Sequence, residues 1–390
     1  MDQIKSFRPD KIKKGQKIII YGAGRYGELA LRGLQHLSLQ PSFFVDRSLA
    51  GTMYLGINVI APKELENYKN DIVLIASYNY FNEMLEILQT TGIKYYYDIL
   101  ELLKIEYDEN VLSEYALDEK KNYYKYYNVV KNSYIQGLII THCEVVLTEC
   151  CTLKCKDCAN LMQYYRHPEK LDTNEIIESF NKFLDTIDIL LELRLLGGEP
   201  FLCKDLDKIV KSYRNHRKVK RITIYTNATI LPSATILECL KSEKISVHIS
   251  DYGLQNNKIL NLKTLLKKHS INYYIHKYDK WYEMGGIEKR HYNNSFKKQL
   301  YKNCIMAKCY TFYRGKFYLC PRAAHGERLG AFLNQQEEIV DFTEPIESIE
   351  TKRNEVKHIL LERDFITACD FCNGSCESTR KVNAAIQLKR

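Results

Sequence analysis

The most informative stretch of the sequence is a loop with three cysteines, Cys151, Cys155 and Cys158, in a C-x3-C-x2-C arrangement. It directly follows the apolar residues 145–147, which predict a buried strand ending at the loop. Soft thiolate ligands suit iron-sulfur clusters, and three of them hold three irons of a 4Fe-4S cluster. The fourth iron then has no protein ligand and becomes a reaction site. A zinc site, or three unrelated buried thiols, is the alternative interpretation.

A second motif follows one β/α repeat later. Residues 193–196 predict a buried strand that runs into Gly197, Gly198, Glu199 and Pro200. Glycines allow a close approach of backbone to ligand, and the Glu199 carboxylate is a counter-charge for an ammonium group. In this order, the cysteine loop and the GGEP turn resemble the radical S-adenosylmethionine (radical SAM) superfamily.

The resemblance implies two cofactors and a chemistry. In that superfamily the amino and carboxylate groups of S-adenosylmethionine chelate the open iron of the 4Fe-4S cluster. An electron from the cluster cleaves the sulfonium and gives a 5'-deoxyadenosyl radical that takes hydrogen from substrate, while the protein supplies aim and excludes water. Asp157 departs from the superfamily pattern, because the residue before the third cysteine is usually apolar or aromatic and lies against the adenine.

Strands and helices alternate over residues 138–300, which predicts an α/β domain whose parallel sheet closes toward a barrel. The resemblance to the radical SAM superfamily implies that this is a partial (β/α)6 barrel. Ligands bind at the carboxyl ends of the strands in such barrels. Thr226, Asn227, Ser250 and Asp251 follow two expected strands, and they resemble positions that hydrogen-bond the ribose and carboxylate of S-adenosylmethionine in the superfamily. The alternative is that these short polar side chains cap helices or form turns.

Residues 1–105 predict a separate Rossmann-like domain. A strand pattern leads into Gly22, Gly24 and Gly27 with G-x-G-x-x-G spacing, and the next strand ends at Asp46. Such a turn suits a phosphate at the helix N-terminus, and the acid suits a ribose. The unit resembles the sugar-nucleotide-binding domains attached to carbohydrate-tailoring enzymes. A degenerate unit that binds nothing and serves as a docking surface is the alternative.

Residues 106–137 are polar and rich in tyrosine, with the run 122–127 as the densest part. We predict a helical connector whose tyrosines pack against a neighbouring domain rather than stack on nucleobases.

Residues 301–390 contain a second set of cysteines. A hairpin with its turn at Arg314 and Gly315 is predicted to deliver Cys320 on its returning strand. The cysteine spacing resembles the SPASM and Twitch extensions of radical SAM enzymes, small α+β domains that hold auxiliary 4Fe-4S clusters. Six cysteines are too few for two fully cysteine-ligated clusters, so one Twitch-like cluster is expected. Its candidate ligands are Cys320, Cys369 and Cys372, with Cys309 or Cys304 as the fourth and Cys376 as a substitute. A structural zinc on the same thiolates is the alternative.

Charge and hydropathy narrow the possible functions. The chain has 57 basic and 48 acidic residues, and this net charge of +9 is spread along the sequence, so no nucleic-acid partner is expected. No window has the apolar length of a membrane span, and residues 1–8 lack the apolar core of a secretion signal. We therefore expect no membrane partner and a cytoplasmic protein. Thirteen cysteines in that compartment indicate metal or redox-active sites rather than disulfides.

These features predict an iron-sulfur enzyme, an oxidoreductase or an epimerase, that abstracts hydrogen from a polar small molecule. A nucleotide-linked sugar or related saccharide is the preferred substrate, with flavodoxin or ferredoxin as electron donor. The alternative among enzymes is a maturase of ribosomally made peptides, although the N-terminal region does not look like the winged-helix domain that such enzymes commonly carry. A non-catalytic zinc-binding interaction protein is the alternative of another class.

Overall fold

A computed structural model describes residues 4–389, apart from residues 48, 78–79, 114–115, 118, 121–137, 255, 362 and 377. The chain divides into two compact units, Met1–Tyr134 and Ile135–Arg390. The predicted helical connector falls largely on 121–137, including its tyrosine run, and that part lies outside the described residues. Among the helices that are described, none has the length and apolar character of a membrane span.

The first unit is built on one six-stranded sheet. Its strands are β1 (Ile18–Tyr21), β2 (Phe43–Val45), β3 (Met53–Tyr54), β4 (Ile57–Ile60), β5 (Ile72–Ile75) and β6 (Tyr95–Asp98), in the order β3-β4-β2-β1-β5-β6. All neighbours are parallel except β3, which pairs antiparallel with β4. The helices are α1 (Arg25–His36), α2 (Phe81–Thr90) and α3 (Leu100–Leu103). β1 and β5 are buried along their whole length, as their almost wholly aliphatic sequences predict for central parallel strands.

The second unit contains an eight-stranded sheet. Its strands are β7 (Ile139–Val146), β8 (Ile189–Leu196), β9 (Val219–Thr226), β10 (Ile245–Asp251), β11 (Asn272–Lys277), β13 (Thr311–Tyr313), β14 (Lys316–Tyr318) and β15 (Ile339–Asp341). They lie in the order β11-β10-β9-β8-β7-β13-β14-β15, parallel as far as β13 and antiparallel from there. A two-stranded ribbon joins β12 (Lys280–Tyr282) to β16 (Lys381–Asn383).

Seven helices of this unit are described, and the first four connect successive strands from β7 to β11. They are α4 (Thr173–Thr186), α5 (Leu206–Arg214), α6 (Ala234–Leu240), α7 (Asn256–Lys268), α8 (Asn294–Asn303), α9 (Pro321–Arg328) and α10 (Ile349–Leu361). Side chains at the caps fix where several begin: Asp172 accepts from two amides of α4, and Ser233 accepts from Ile236 N in α6.

Alternate residues of the strands face opposite sides of this sheet. Leu193 and Leu195 of β8, for example, belong to the apolar core, whereas Glu192 and Arg194, which alternate with them, form polar contacts on the other face. We call that second side the polar face. Glu144 of β7 lies near Arg194 on this face as well.

The predicted α/β class with parallel sheets is confirmed. The described sheet is open, and it has five β/α strands rather than a six-fold repeat, because the sixth parallel strand, β13, comes from the C-terminal region and pairs with β7. The ribbon strand β12 could not be recognised from sequence, because its partner β16 is too distant along the chain to be seen as a pattern. The hairpin at Arg314 and Gly315 has the expected turn, with φ values of 50° and 74°.

Candidate active site

The three-cysteine loop begins just after β7, and the other contacts predicted in this unit lie at or just after the ends of β8, β9 and β10. Because these four strands are parallel neighbours, their carboxyl ends share one edge of the sheet. Cys155 is buried, and Cys151 and Cys158 are partly buried. The neighbouring Cys150 faces elsewhere, with its Sγ 3.7 Å from the carbonyl oxygen of Pro168.

The GGEP turn is bonded to the start of this loop. Gly198 N donates to the carbonyl oxygen of Thr148, and Glu199 N donates to that of Cys150, both at 2.8 Å. A Cβ on Gly198 would lie 2.0 Å from the Cys150 carbonyl oxygen, and one on Gly197 would lie 2.4 Å from the Thr148 carbonyl oxygen. The two glycines therefore allow the backbone of the GGEP turn to contact the backbone at the start of the cysteine loop. A contact of these glycines with a ligand stays a prediction.

Glu199 is fully buried and braces the turn. Its carboxylate accepts hydrogen bonds from Thr226 Oγ1 (2.7 Å), Asn227 N (2.9 Å) and Phe201 N (3.3 Å). Burial raises the pKa of Glu199 to about 7, although these hydrogen bonds act in the opposite direction. Thr226 and Glu199 are thus partners of each other, and a contact of either with an ammonium or ribose stays a prediction. Pro200 begins the short 3-10 turn Pro200–Leu202 that follows.

Two side-chain amides donate to sulfur atoms of the loop. Gln387 Nε2 lies 3.1 Å from Cys155 Sγ, and Asn227 Nδ2 lies 3.7 Å from Cys151 Sγ. Hydrogen bonds of this kind are among the means by which proteins tune iron-sulfur clusters. Asn227 was predicted at this site, whereas Gln387 was not.

Gln387 belongs to a short segment, residues 385–388, that we call the C-terminal strap. Its backbone pairs with the cysteine loop: Lys156 N donates to Ile386 O and Leu388 N donates to Lys154 O, both at 2.8 Å. Gln387 Oε1 also accepts from Lys154 N at 2.9 Å. The strap therefore holds the cysteine loop on both sides of Cys155.

Ser250 and Asp251, the last two residues of β10, make local contacts. Asp251 Oδ1 accepts from Gly253 N at 2.8 Å, which is the turn-capping contact that the sequence left open as an alternative. Ser250 is buried and hydrogen-bonds Tyr252. The Tyr252 ring in turn meets Trp281 edge to face, with ring centres 5.2 Å apart.

The chemistry of the three thiols fits a bound cluster. Burial raises the pKa of Cys151 to about 12 and that of Cys155 to about 11, and it also raises the pKa of Cys158. Thiolates at these positions therefore require a nearby positive charge, which iron supplies. Sulfur ligands, buried surroundings and amide donors agree with a 4Fe-4S cluster held by this loop.

Four cysteines of the second set line one cavity: Cys304, Cys320, Cys369 and Cys372. Leu300, Met306 and Ile366 contribute apolar walls, and Arg322 is the charged residue of the lining. The sequence brings these cysteines from three separate places, namely the end of α8, the end of the β13-β14 hairpin and the 3-10 segment Thr367–Phe371 with the residue after it.

Backbone amides point at three of these four sulfurs. Gly374 N donates to Cys372 Sγ (3.2 Å), Ala323 N to Cys320 Sγ (3.4 Å) and Ser375 N to Cys304 Sγ (3.4 Å). An apolar cavity with four thiols and converging N–H groups fits an iron-sulfur cluster by its donor set.

The remaining two candidates of this set lie outside the cavity lining. Cys376 donates a hydrogen bond to Cys304, and this bond lowers the pKa of Cys304 to about 6 despite burial. Cys309 lies instead next to His142 and Glu144 of β7. The structure thus groups Cys304 with Cys320, Cys369 and Cys372.

Arg322 was not singled out in the sequence, and it is 4% exposed. Burial raises the pKa of both Cys158 and Cys372, and the Arg322 guanidinium acts against that rise at each thiol. The buried Arg322 guanidinium is therefore close enough to affect a thiol in each of the two cysteine sets. Neither Arg322 nor Gln387 lies in a recognisable motif, so only the fold relates them to the cysteines.

Glu149, which precedes the cysteine loop, is also held by residues of the C-terminal region. Its buried carboxylate accepts from Arg328 Nε (2.9 Å), Arg314 Nη2 (3.1 Å) and the Tyr313 hydroxyl. Burial opposes ionisation, but these donors together with Glu169 N keep the pKa of Glu149 below its usual value.

In the first unit, the glycine-rich turn has the local geometry of its motif. Gly22 has φ of +118°, and a Cβ on Gly27 would lie 2.0 Å from the Gly22 carbonyl oxygen, whereas Gly24 has open space around it. Asp46 accepts from Ala23 N at 3.2 Å and from Leu49 N at 3.2 Å, so its carboxylate also braces the turn. Nucleotide binding by this unit stays a prediction.

Residues 145–290 match the family described as Radical SAM superfamily, and residues 14–100 match the family described as C2185-like, N-terminal. The GTP 3',8-cyclase of Stenotrophomonas maltophilia (strain R551-3) is 32% identical over 97 residues, 25% of this chain and 29% of that protein. The GTP 3',8-cyclase of Aquifex aeolicus (strain VF5) is 30% identical over 121 residues, 30% of this chain and 37% of that protein. The chain thus spans less than two fifths of either relative.

Among solved structures, the chain is similar to BtrN in complex with AdoMet and 2-DOIA, with 16% identity, 62% of this chain and 98% of that chain covered, and a TM-score of 0.38. It is also similar to Streptococcus suis SuiB bound to S-adenosylmethionine, with 18% identity, 50% and 44% coverage and a TM-score of 0.29. The Radical SAM superfamily uses a 4Fe-4S cluster and S-adenosylmethionine, and the three-cysteine loop with its GGEP turn lies inside the matched segment. Over residues 145–290, this chain is therefore a radical SAM domain.

Proposed function

We propose that this chain is a radical SAM enzyme that takes a hydrogen atom from a polar small molecule. The observation that carries the proposal is the bonded assembly of the three-cysteine loop, the GGEP turn and Asn227 at the carboxyl ends of β7, β8 and β9. When bound, the 4Fe-4S cluster and S-adenosylmethionine supply a reductive cleavage that generates the hydrogen-abstracting radical.

The residues of this chain hold and shield that chemistry. Cys151, Cys155 and Cys158 supply three ligands and leave one iron for S-adenosylmethionine. Gly197 and Gly198 seat the GGEP turn against the loop, and the C-terminal strap covers the loop at Cys155. Close packing on several sides keeps water away from the reacting centre.

We propose that an auxiliary 4Fe-4S cluster is bound by Cys304, Cys320, Cys369 and Cys372. The shared cavity and the three N–H groups directed at the sulfurs support this set. A cluster there can accept an electron from a substrate radical, which would make the reaction a dehydrogenation. Epimerisation, with a thiol that returns hydrogen, is the other outcome consistent with this arrangement.

The polar face of the large sheet carries a buried network of hydrogen bonds. Glu192 accepts from Arg194 Nε (2.8 Å) and Thr223 Oγ1 (2.6 Å), Arg221 Nη2 donates to Ser246 Oγ (3.1 Å), and all of these are largely buried. Such a network makes this face polar and rigid. A nucleotide-linked sugar or related saccharide is our preferred substrate, and the relatives named for a reaction of GTP favour a nucleotide-bearing one.

The first test is formation of 5'-deoxyadenosine by the anaerobically reconstituted, reduced full chain. Cys155→Ala should abolish it, because the cluster loses one of three ligands. Cys150→Ala is the matched control, since this neighbouring thiol points to Pro168, and it should keep wild-type activity. Equal activity in both variants would contradict the cluster assignment.

The substrate class is tested by isothermal titration of the full chain with nucleotide-sugars and with candidate precursor peptides. Binding of a nucleotide-sugar supports our preference. Tight binding of a peptide, with no response to nucleotide-sugars, would instead favour a peptide maturase.

A further inference from the structure

Three side chains of different donor chemistry meet beside the first strand of the large sheet. They are His142 and Glu144 of β7 and Cys309, which lies just before β13. One nitrogen, one carboxylate oxygen and the sulfur all lie within 4.8 Å of one another. His142 is 5% exposed, Glu144 is 9% exposed, and Cys309 is partly buried.

The backbone explains why they meet. His142 and Glu144 are two residues apart in a strand and so face the same side of the sheet, whereas Cys143 between them belongs to the apolar core on the other side. β13 pairs with β7 with Thr311 opposite Glu144, and Glu144 N donates to Tyr310 O at 2.7 Å. This pairing brings the segment that contains Cys309 alongside the strand.

Glu144 lies close to a charged network on the polar face. Glu192 contacts Arg194 Nε at 2.8 Å and accepts from Thr223, whereas Glu144 Oε1 lies 3.6 Å from Arg194 Nη1. The closer contact with Arg194 thus belongs to Glu192. A bound cation beside Glu144 would give this buried carboxylate a nearer charge partner.

We propose that His142, Glu144 and Cys309 bind a divalent transition-metal ion, with zinc the best match to one imidazole, one carboxylate and one thiolate. A zinc ion draws such donors to roughly 3.3–3.5 Å apart, which side-chain rotation of about 1 Å achieves. Three protein ligands leave a fourth position for a water molecule.

This site uses none of the cysteines assigned to the two clusters. It joins β7 to the segment before β13, two parts of the chain far apart in sequence, and so the bound ion would stabilise their pairing. The proposal is independent of the substrate and of the radical chemistry.

The test is elemental analysis of zinc and iron per chain in the anaerobically purified full-length protein, after growth with added zinc. The wild type should contain about one zinc in addition to its iron. Glu144→Gln and Cys309→Ser should lower bound zinc at least about tenfold and leave iron unchanged. Cys143→Ala, which removes the thiol on the opposite face of β7, should keep the zinc.

Three results would overturn the proposal: wild type with no zinc, substituted proteins that keep their zinc, or loss of about four irons on Cys309→Ser. The last result would make Cys309 a ligand of the auxiliary cluster. If the substituted proteins do not fold, competition of the wild type with a colorimetric zinc chelator decides the matter. One tightly held equivalent supports the site, and none contradicts it.

Discussion

At the scale of single residues, the contact that most directly affects the chemistry is the hydrogen bond from Gln387 Nε2 to Cys155 Sγ at 3.1 Å. Reduction adds negative charge to a cluster and its sulfurs, so a donor at sulfur stabilises the reduced state more than the oxidised one. We therefore expect Gln387 to position Cys155 and to favour electron uptake by the proposed cluster.

Gln387→Glu should lower the midpoint potential of this cluster. The substitution keeps an oxygen for Lys154 N but replaces the N–H donor with an acceptor. If the lost bond favours the reduced state by about 1.4 kcal/mol, the shift is on the order of 60 mV for a one-electron couple. A redox titration followed by electron paramagnetic resonance measures it. Gln387→Leu should shift the potential less, and an unchanged potential in both variants would show that the bond has no such role.

Many residues of the candidate site can be predicted from sequence, because they lie in short motifs. Cys151, Cys155 and Cys158 lie within eight residues, and the GGEP turn is contiguous, so spacing alone indicates their chemistry. Gln387 and Arg322 could not be predicted, since nothing near them in sequence marks them and their partners lie far along the chain. Likewise, the sequence spacing allows either Cys304 or Cys309 to join Cys320, and only the tertiary structure shows which of them lines its cavity.

At the scale of elements, the turn after β8 and the loop after β7 depend on each other. Gly198→Ala should displace the cysteine loop, because the new Cβ would lie 2.0 Å from a backbone carbonyl oxygen. We expect a cost of about 1–3 kcal/mol in unfolding free energy and a marked loss of bound iron.

The matched control for that substitution is Gly330→Ala. Gly330 has a positive φ of +70°, but a methyl group added to it would meet no atom within 4 Å. The variant should therefore show backbone strain of about 1 kcal/mol and normal iron content. Iron content that is normal in both proteins would mean that the GGEP turn does not support the loop.

The contact of Glu149 with the β13-β14 hairpin and α9 allows a comparison of buried and exposed ion pairs. Glu149 and Glu169 share Arg314 and Arg328, but the Glu149 side chain is 0% exposed and that of Glu169 is 54% exposed. Glu149→Gln should cost about 3 kcal/mol, whereas Glu169→Gln should cost less than about 1 kcal/mol. Thermal unfolding of both variants checks this order, and equal losses would contradict it.

The order of strands and helices was largely predictable, because apolar runs and amphipathic periodicity are local signals. The alternation of strands and helices predicted within residues 138–300 is present from β7 to β11, and β8 contains the predicted strand 193–196. The position of β13 beside β7 was not predictable, because strand pairing across the sheet depends on contacts between distant segments. That pairing is what brings Cys309 to His142 and Glu144.

At the scale of the whole molecule, the second unit contains two cysteine sets, for which we propose separate roles. Cys372→Ala should remove about four of about eight irons and block product formation, while cleavage of S-adenosylmethionine continues without substrate turnover. Cys376→Ala should keep most of the iron, because Cys376 lies outside the cavity lining and bonds Cys304. Iron and 5'-deoxyadenosine measured on the same samples separate the two clusters. If Cys376→Ala lost the auxiliary iron and Cys372→Ala kept it, the ligands proposed for the auxiliary cluster would be wrong.

The central claim is that Cys151, Cys155 and Cys158 hold a 4Fe-4S cluster with one iron open to S-adenosylmethionine. The most direct measurement is the electron paramagnetic resonance spectrum of the reduced, reconstituted Cys372→Ala protein before and after adding S-adenosylmethionine. In this variant we expect the remaining cluster to dominate the signal, and the account predicts that the signal changes when the cofactor binds the open iron. A spectrum that stays the same at saturating S-adenosylmethionine would contradict it.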